Sequence, residues 1–185
     1  MSENKLQSPQ IENIVGSGTI ADSIDLEMLI DKMENYELNK KRFPGAVLRI
    51  KNPKIAVLVF SSGKVVITGV KSPEDFVRGQ DILIQKMRKA GVICYDKPDL
   101  AVTNMVCSYD FEKYINLNKV VITLNMEHIE YEPEQFPGLV YRISDPKIVA
   151  LLFSSGKIIL TGGKTMEDIE RGVAFLEQKI SGLCF

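Results

Sequence analysis

Metal-binding and disulfide-forming residues are scarce in this chain of 185 residues. It contains one histidine, His128, and three cysteines, Cys94, Cys107 and Cys184, none of them in CxxC spacing. An odd number of cysteines without paired spacing argues against a disulfide framework, and a single histidine argues against a zinc cluster. We therefore expect no metal or other cofactor, and we interpret the cysteines as buried, inert side chains.

Long apolar runs are also absent. No window of about 18 uninterrupted apolar residues occurs, and the chain begins with the polar segment MSENKLQSPQ. These features indicate neither a membrane span nor a signal peptide, so we expect a soluble intracellular protein. With 45% hydrophobic residues the chain can still bury a core, and its length lies between one large domain and two small ones.

The most informative feature that is present is an internal repeat. Residues 43–79, FPGAVLRIKNPKIAVLVFSSGKVVITGVKSPEDFVRG, align with residues 136–172, FPGLVYRISDPKIVALLFSSGKIILTGGKTMEDIERG. The offset is 93 residues throughout, and 22 of 37 positions are identical. A weaker similarity links IENIVGSGTI, from Ile11, with VTNMVCSYDF, from Val102. Two copies are too few for a solenoid, which needs at least three units, so we predict an intramolecular pseudo-dimer.

Each copy contains patterns typical of an α+β unit. The segments IENIVGS, GAVLRI, KIAVLVF and KVVITG are short, rich in β-branched residues and bounded by turn residues, which predicts strands, with SSG as a hairpin turn. SPEDFVRGQDILIQKMRKAG begins with a Ser cap and ends at Gly91, which predicts a long helix, and TMEDIERGVAFLEQKISG is its counterpart. A shorter helix is expected at SIDLEMLIDKME, residues 23–34.

The predicted strands are apolar on both faces. In KIAVLVF one parity contains Ile55, Val57 and Val59, and the other contains Ala56, Leu58 and Phe60. Antiparallel sheets covered by helices on one side normally turn a polar face to water. Two long helices cannot cover both sides of so many strands. The second face therefore packs on another sheet, as in a sandwich, or it is a large apolar patch kept for a partner.

Basic residues are concentrated in the first copy. Residues 40–90 contain twelve Lys or Arg against three Asp or Glu, whereas residues 1–39 contain two against eight and residues 91–135 three against eight. Such a cluster is often no more than a solvated face. However, four cations recur at equivalent places in the two copies: Arg49 and Arg142, Lys54 and Lys147, Lys64 and Lys157, Lys71 and Lys164. Paired cations beside an apolar sheet would suit the two phosphate strands of a duplex.

Enzyme motifs are weak. GGKT, at Gly162 to Thr165, resembles part of a phosphate-binding P-loop, but the first glycine of that motif would fall on Ile158. VGSGTI, from Val15, offers GxG without a third glycine. No nucleophile, carboxylate pair or metal cluster recurs in the repeat register, so we do not expect an enzyme.

These residues together resemble the TATA-box-binding protein family over nearly the whole chain. The resemblance lies in the two FPG-to-SSGK blocks, the Asn in each first strand, YEPEQFPGLVYR from Tyr131, and TGGK. It implies a saddle: a curved ten-stranded antiparallel sheet from two pseudo-symmetric repeats, with helices on the convex face. We expect a polar tail at residues 1–9 and repeats at 10–97 and 98–185. The implied function is a general transcription initiation factor that binds and bends the TATA box through the minor groove and nucleates preinitiation-complex assembly.

The resemblance also assigns roles to residues, residue by residue. The implied DNA-intercalating side chains are Phe43, Phe60, Phe136 and Phe153. The implied minor-groove contacts are Asn13, Val15, Leu58, Val66, Thr68, Asn104, Val106, Leu151, Ile159 and Thr161. For phosphate contacts the prediction comes from the recurring cations, namely Arg49, Lys64, Lys71, Arg142, Lys157 and Lys164. Docking of the B-type general transcription factor, and through it RNA polymerase, is implied for Glu132, Glu134 and Gln135.

Two departures qualify the resemblance. The chain begins almost at its first strand and has a pI near 5.9, whereas eukaryotic members usually have a long N-terminal extension and a strongly basic core. The segments RFPG and EQFPG resemble archaeal members. We therefore expect a cytoplasmic, nucleoid-associated protein, or a nuclear one if the source is eukaryotic. The loop YELNKKRF in the first copy differs from YEPEQF in the second, so the two ends of the sheet are chemically unlike. The alternative function is a module of the same fold that binds a protein or another ligand on its sheet.

Overall fold

The computed structural model of the chain describes residues 7–124 and 126–184. Most of the expected N-terminal tail, residues 1–6, lies outside the described residues. The described chain divides into two compact units: residues 13–103 form one, and the remaining described residues form the other.

The unit of residues 13–103 contains a five-stranded antiparallel sheet with the order β2-β3-β4-β5-β1. One long helix follows the sheet. The elements of this unit are β1 (Gln10–Thr19, which begins just before the unit), β2 (Tyr36–Leu38), β3 (Ala46–Lys51), β4 (Lys54–Val59), β5 (Lys64–Val70) and α1 (Pro73–Lys89).

The other unit repeats this arrangement with the order β6-β10-β9-β8-β7. Two short 3-10 helices, Met126–His128 and Ser181–Leu183, are added. Its elements are β6 (Ala101–Asp110, which begins just before the unit), α2 (Leu117–Thr123), β7 (Ile129–Glu130), β8 (Leu139–Ile143), β9 (Ile148–Leu152), β10 (Lys157–Gly163) and α3 (Met166–Ile180).

One face of each sheet packs against the long helix and forms the core. In β4, Ile55, Val57 and Val59 are at most 4% exposed, and Ile55 lies directly beneath Gly79 of α1. The second unit repeats this contact with Ile148 beneath Gly172 of α3. Burial of an aliphatic side chain contributes about 1.5–3 kcal/mol, so this face fixes the position of the helix and leaves the opposite face uncovered by it.

The long helices begin where the sequence predicts. Ser72 caps α1, its hydroxyl accepting the backbone N–H of Asp75 at 3.1 Å, and proline follows at the first position. Thr165 caps α3 in the same way through Asp168. The satisfied N–H groups and the acidic residues in each first turn stabilise these ends.

The prediction of a short helix at residues 23–34 is wrong. The segment forms turns closed by bonds such as Ile30 N–H to the Glu27 carbonyl, and the Asp25 carboxylate accepts the N–H of Met28. The buried side chains are Ile24, Leu26 and Leu29, and the first two are spaced by two residues, a spacing that an extended chain buries and a helix does not. The short helix occurs instead in the second unit, as α2, where Leu117 and Val120 are buried three residues apart.

The cysteines are free, as expected, but only Cys107 is buried. The prediction that all three are buried is wrong for Cys94 and Cys184, which are half-exposed. Burial raises the pKa of Cys107 to about 11, with a further contribution from the charge of Glu12. Across residues 7–124 and 126–184, no cluster of His, Cys, Asp or Glu could hold a metal ion. None of the helices described is long and apolar enough to cross a membrane.

Candidate nucleic-acid interface

The sheet face opposite the long helix carries a set of half-exposed side chains, which we call the open face of each unit. All ten residues assigned to minor-groove contacts lie on it, and all ten are half-exposed. In the first unit the open face contains Asn13, Val15, Val47, Ala56, Leu58, Val66 and Thr68. In the second it contains Asn104, Val106, Val140, Val149, Leu151, Ile159 and Thr161.

Cross-strand pairing joins the apolar side chains of each open face into a row. Leu58 pairs with Val47 on one side and Val66 on the other. The equivalent row in the second unit joins Val140, Leu151 and Ile159. These two rows are smooth and free of charge, which suits contact with a surface that offers few polar groups.

The sequence analysis assigned no DNA contact to four members of the open faces, although it placed one of them, Ala56, on the same strand face as Leu58. Val47 and Ala56 flank Leu58 in the first unit, and Val140 and Val149 are their equivalents. Their signal was present in the sequence, because Val47 lies two residues before Arg49 and shares its parity on β3. Strand alternation therefore places Val47 on the same face.

Each open face contains an asparagine whose side chain is oriented by a β-bulge. The register of β5 shifts opposite β1, and Gly69 occupies the bulge at φ +83°. Its N–H is donated to Oδ1 of Asn13 at 2.8 Å. The second unit repeats this bond from Gly162, at φ +97°, to Oδ1 of Asn104 at 2.6 Å. Glycine adopts this left-handed conformation without strain, so it suits both bulges.

The bulge determines which end of each amide is available to a ligand. Because Oδ1 of the asparagine accepts the glycine N–H, the amide nitrogen lies on the other side, where Nδ2 of Asn13 is 3.3 Å from the hydroxyl of Thr68. Nδ2 of Asn104 is 3.1 Å from the hydroxyl of Thr161. The Thr161 hydroxyl also lies 3.3 Å from Oδ1 of Asn104. An amide nitrogen has two hydrogens, so each asparagine has one N–H besides the one directed at its threonine.

The four phenylalanines form two matched pairs. The ring centroids of Phe43 and Phe60 are 5.6 Å apart with an interplanar angle of 66°, and those of Phe136 and Phe153 are 5.9 Å apart at 72°. Both arrangements are edge-to-face, the favoured geometry for aromatic pairs. Three of the rings are half-exposed, and Phe136 is 41% exposed. None of the four is part of the buried core.

The glycine of each FPG segment makes room for its pair of rings. A Cβ on Gly45 would lie 2.9 Å from Phe43 and 2.7 Å from the carbonyl oxygen of Val59. A Cβ on Gly138 would lie 2.8 Å from Phe136 and 3.0 Å from Phe153. All three distances to rings are shorter than a normal van der Waals contact, so any larger residue would displace the pair.

The repeated FSSGK segments are hairpin turns, as predicted. Phe60 donates its N–H to the carbonyl of Lys64, and the carbonyl of Phe60 accepts the N–H of Gly63. Phe153 makes the same two bonds with Lys157 and Gly156. The second phenylalanine of each pair therefore lies just beyond the end of a strand, where its ring can project past the strand ends.

The six cations assigned to phosphate contacts are all exposed, but their pairing differs between the units. Arg142 lies 3.4 Å from the carboxylate of Glu130. Its equivalent Arg49 has no ion-pair partner in the described part of the chain, although Glu37 lines the same small cavity. The loop residues Glu132, Glu134 and Gln135 are also exposed.

Comparisons with known proteins agree with this geometry. The family model described as transcription factor TFIID, or TATA-binding protein, matches residues 8–90 and 99–183. TATA-box-binding protein 1 of Methanosarcina acetivorans is 46% identical over 183 residues, covering 99% of this chain and 98% of the relative. The TATA-box-binding protein of Archaeoglobus fulgidus is 45% identical over 174 residues, covering 94% and 95%.

A solved structure gives the same result. The Methanococcus jannaschii TBP matches with a TM-score of 0.85 and 41% sequence identity, covering 95% of this chain and 99% of that one. This match confirms the predicted α+β fold class. By its family model, its archaeal relatives and its fold, the chain belongs to the TATA-binding protein family.

Proposed function

We propose that this chain is a general transcription initiation factor that binds and bends the TATA box of a promoter through the minor groove. The observation that carries the proposal is the open face of each unit. It presents a smooth apolar row together with one asparagine N–H whose direction is set by a bulge glycine.

This arrangement matches the chemistry of A·T pairs in the minor groove. Both A·T and T·A offer only the acceptors N3 of adenine and O2 of thymine there, whereas G·C adds a protruding amino donor. An outward N–H from Asn13 or Asn104 can bind an acceptor in either orientation of the pair. The apolar rows offer no acceptor for the guanine amino group, so a G·C pair would leave that group buried without a partner.

The phenylalanine pairs would act as wedges at the two ends of the site. Kinking of DNA by inserted apolar side chains is established behaviour of this family rather than something that this geometry derives. The half-exposed rings at the ends of strands support the role, because they can leave the sheet edge without opening a core. We assign one pair to each repeat, residues 10–97 and 98–185.

The exposed cations would neutralise phosphates on both strands of the bent duplex. We assign this role to Arg49, Lys64, Lys71, Arg142, Lys157 and Lys164, all of which are exposed. Such contacts position the protein without reading the sequence.

The second loop would recruit the next factor. We assign Glu132, Glu134 and Gln135 to docking of the B-type general transcription factor, and through it RNA polymerase, in the cytoplasm of an archaeal cell. The exposure of all three residues and the negative charge of Glu132 and Glu134 support a contact with a basic surface.

Fluorescence-detected bending tests the proposal. A TATA duplex with a donor and an acceptor dye at its ends is titrated beside a duplex in which G·C pairs replace the central A·T pairs. We expect bending of the first duplex only. If the protein leaves both duplexes straight, the proposal is wrong and the open face binds another ligand, such as a protein.

A further inference from the structure

The loops that precede the two FPG segments share one backbone conformation. We call residues 39–43 the first loop and residues 132–136 the second loop. In the first, the N–H groups of Arg42 and Phe43 both donate to the carbonyl of Asn39, at 3.1 and 3.0 Å. In the second, those of Gln135 and Phe136 both donate to the carbonyl of Glu132, each at 3.0 Å. The two turns therefore have equivalent backbone hydrogen bonds, whereas their side chains differ.

The side chains of the two loops have opposite charge. The first loop reads Asn-Lys-Lys-Arg-Phe and the second Glu-Pro-Glu-Gln-Phe, which gives three cations against two anions. All three cations are exposed. Lys40 forms an ion pair with Glu27, but Lys41 and Arg42 have no ion-pair partner within the described residues.

A cavity of about 250 Å³ lies between the first loop and the open face of the first unit. Its lining includes Arg42 and Arg49, Phe43, and Leu58 of the open face, and one carboxylate, that of Glu37. Two guanidinium groups thus lie beside the ring that would open a base step. In the second unit the equivalent arginine, Arg142, is paired with Glu130, and the loop contains carboxylates in place of cations.

We propose that the first loop is an additional DNA-binding site, in which Lys41 and Arg42 bind backbone phosphates of the duplex just outside the step opened by Phe43 and Phe60. The second loop makes no such contact. The inference rests on the proposed function, and it adds an electrostatic difference between the two ends of the bound site. A DNA phosphate is the favoured ligand because both cations adjoin residues that would already touch the duplex.

This contact has a consequence for duplex length. Phosphates are the same whatever the sequence, so the contact of the first loop needs flanking DNA but does not depend on the base sequence of the flank. On a palindromic A·T site with flanks on both sides, the first loop finds phosphates in either orientation of the protein. Removal of one flank leaves one favourable orientation of two, whereas removal of both flanks abolishes the contact.

The first experiment measures the salt dependence of affinity for a flanked TATA duplex. We compare the wild type, the variant K41Q/R42Q, and the control K86Q/K89Q, which removes two exposed cations from α1 on the helix side of the sheet. Each phosphate contact adds about 0.9 to the slope of log K against log salt concentration. We expect the slope of K41Q/R42Q to fall by about 2 units and that of the control to remain near wild type.

That change in slope corresponds to a measurable difference in affinity. Between 50 and 200 mM salt, the affinity of K41Q/R42Q should therefore fall by roughly tenfold less than the affinity of the wild type. Equal slopes for K41Q/R42Q and wild type, with bending of TATA DNA retained, would overturn the inference and leave the cations to another acidic partner. Absence of bending by every protein would instead mean that the proposed function had failed.

The second experiment shortens the flanks of the palindromic site. For the wild type we expect removal of one flank to cost about twofold in affinity, the loss of one orientation of two. Removal of both flanks should cost the full factor that K41Q/R42Q loses on the flanked duplex. If both loops bound phosphates, removal of the first flank would already cost that full factor, and the assignment to the first loop alone would be wrong.

Discussion

The two repeats agree on their open faces and differ at their loops. Asn13 and Asn104 have the same bonds to a bulge glycine and a threonine, and the aliphatic rows match strand by strand. The loops share a backbone turn but are basic in the first repeat and acidic in the second. The open faces proposed to meet bases are thus nearly symmetric, and the six cations assigned to phosphates lie at equivalent positions, whereas the two loops differ.

This difference indicates that the open faces and the loops bind different ligands. A run of A·T pairs presents nearly the same minor groove in both directions, so two equivalent faces suit it. A transcription complex has a direction, so at least one surface must distinguish the ends. We infer that the fold provides the symmetric contact and that the second loop, which is proposed to recruit the next factor, provides the direction.

The largest effect is expected from the phenylalanine wedges. Phe153→Ala should weaken binding to TATA DNA by about 1–3 kcal/mol, or roughly five- to 150-fold, since opening a base step costs a few kcal/mol that the wedge offsets. Phe60→Ala is the matched variant and should behave alike, because the two rings have the same pairing and turn. Bending assays and equilibrium titrations measure both.

Thermal unfolding separates this role from core packing. The pair contact of Phe153 with Phe136 accounts for about 0.5–1.5 kcal/mol of stability, whereas loss of a buried Phe costs about 3–5 kcal/mol. We therefore expect a small decrease in Tm. A variant that unfolds easily yet bends DNA normally at low temperature would make the ring a core residue.

An intermediate effect is expected from the acidic loop. The double variant E132K/E134K should weaken capture of the B-type factor by about tenfold, since like charges across an interface are strongly unfavourable. Binary binding to TATA DNA should be retained or rise slightly, because the new cations face phosphates. The measurement is a mobility shift with and without that factor. Equal loss of both activities would indicate that the loop had misfolded.

The smallest effect concerns the two equivalent arginines. Arg49→Gln should lower the salt slope by about 1 unit. Arg142→Gln should lower it less, because Arg142 is already paired with Glu130 at 3.4 Å, and Glu130→Gln should raise affinity slightly. Exposed ion pairs are worth at most about 1 kcal/mol, so titrations at several salt concentrations are needed. Equal slopes for the two arginine variants would remove this part of the asymmetry.

Much of the fold was predictable from the sequence because the repeat supplies each element twice. Four strands per repeat, the SSG turns and both capped helices follow from local patterns that the tertiary structure preserves. The short strands β2 and β7 have only three and two residues, too few for a periodic pattern. The turns at residues 23–34 depend on burial of Ile24 and Leu26, which no helical pattern reveals.

The candidate site was predictable in its members but not in its geometry. The asparagines lie 91 residues apart and the threonines that they contact lie 93 residues apart, so a constant offset does not align both. The structure places both pairs equivalently because the bulge glycines hold the asparagines. Likewise, the ion pair of Arg142 with Glu130 and the unpaired Arg49 depend on side-chain positions that a shared sequence pattern does not distinguish.

The most direct test of minor-groove recognition replaces A·T pairs with inosine·cytosine pairs. Inosine lacks the guanine amino group, so I·C resembles A·T in the minor groove and G·C in the major groove. Equilibrium affinity and bending are measured for A·T, I·C and G·C versions of one site. We predict that I·C will bind and bend nearly as A·T does and that G·C will bind far more weakly. An I·C duplex that behaves like G·C would contradict recognition by the open face through the minor groove.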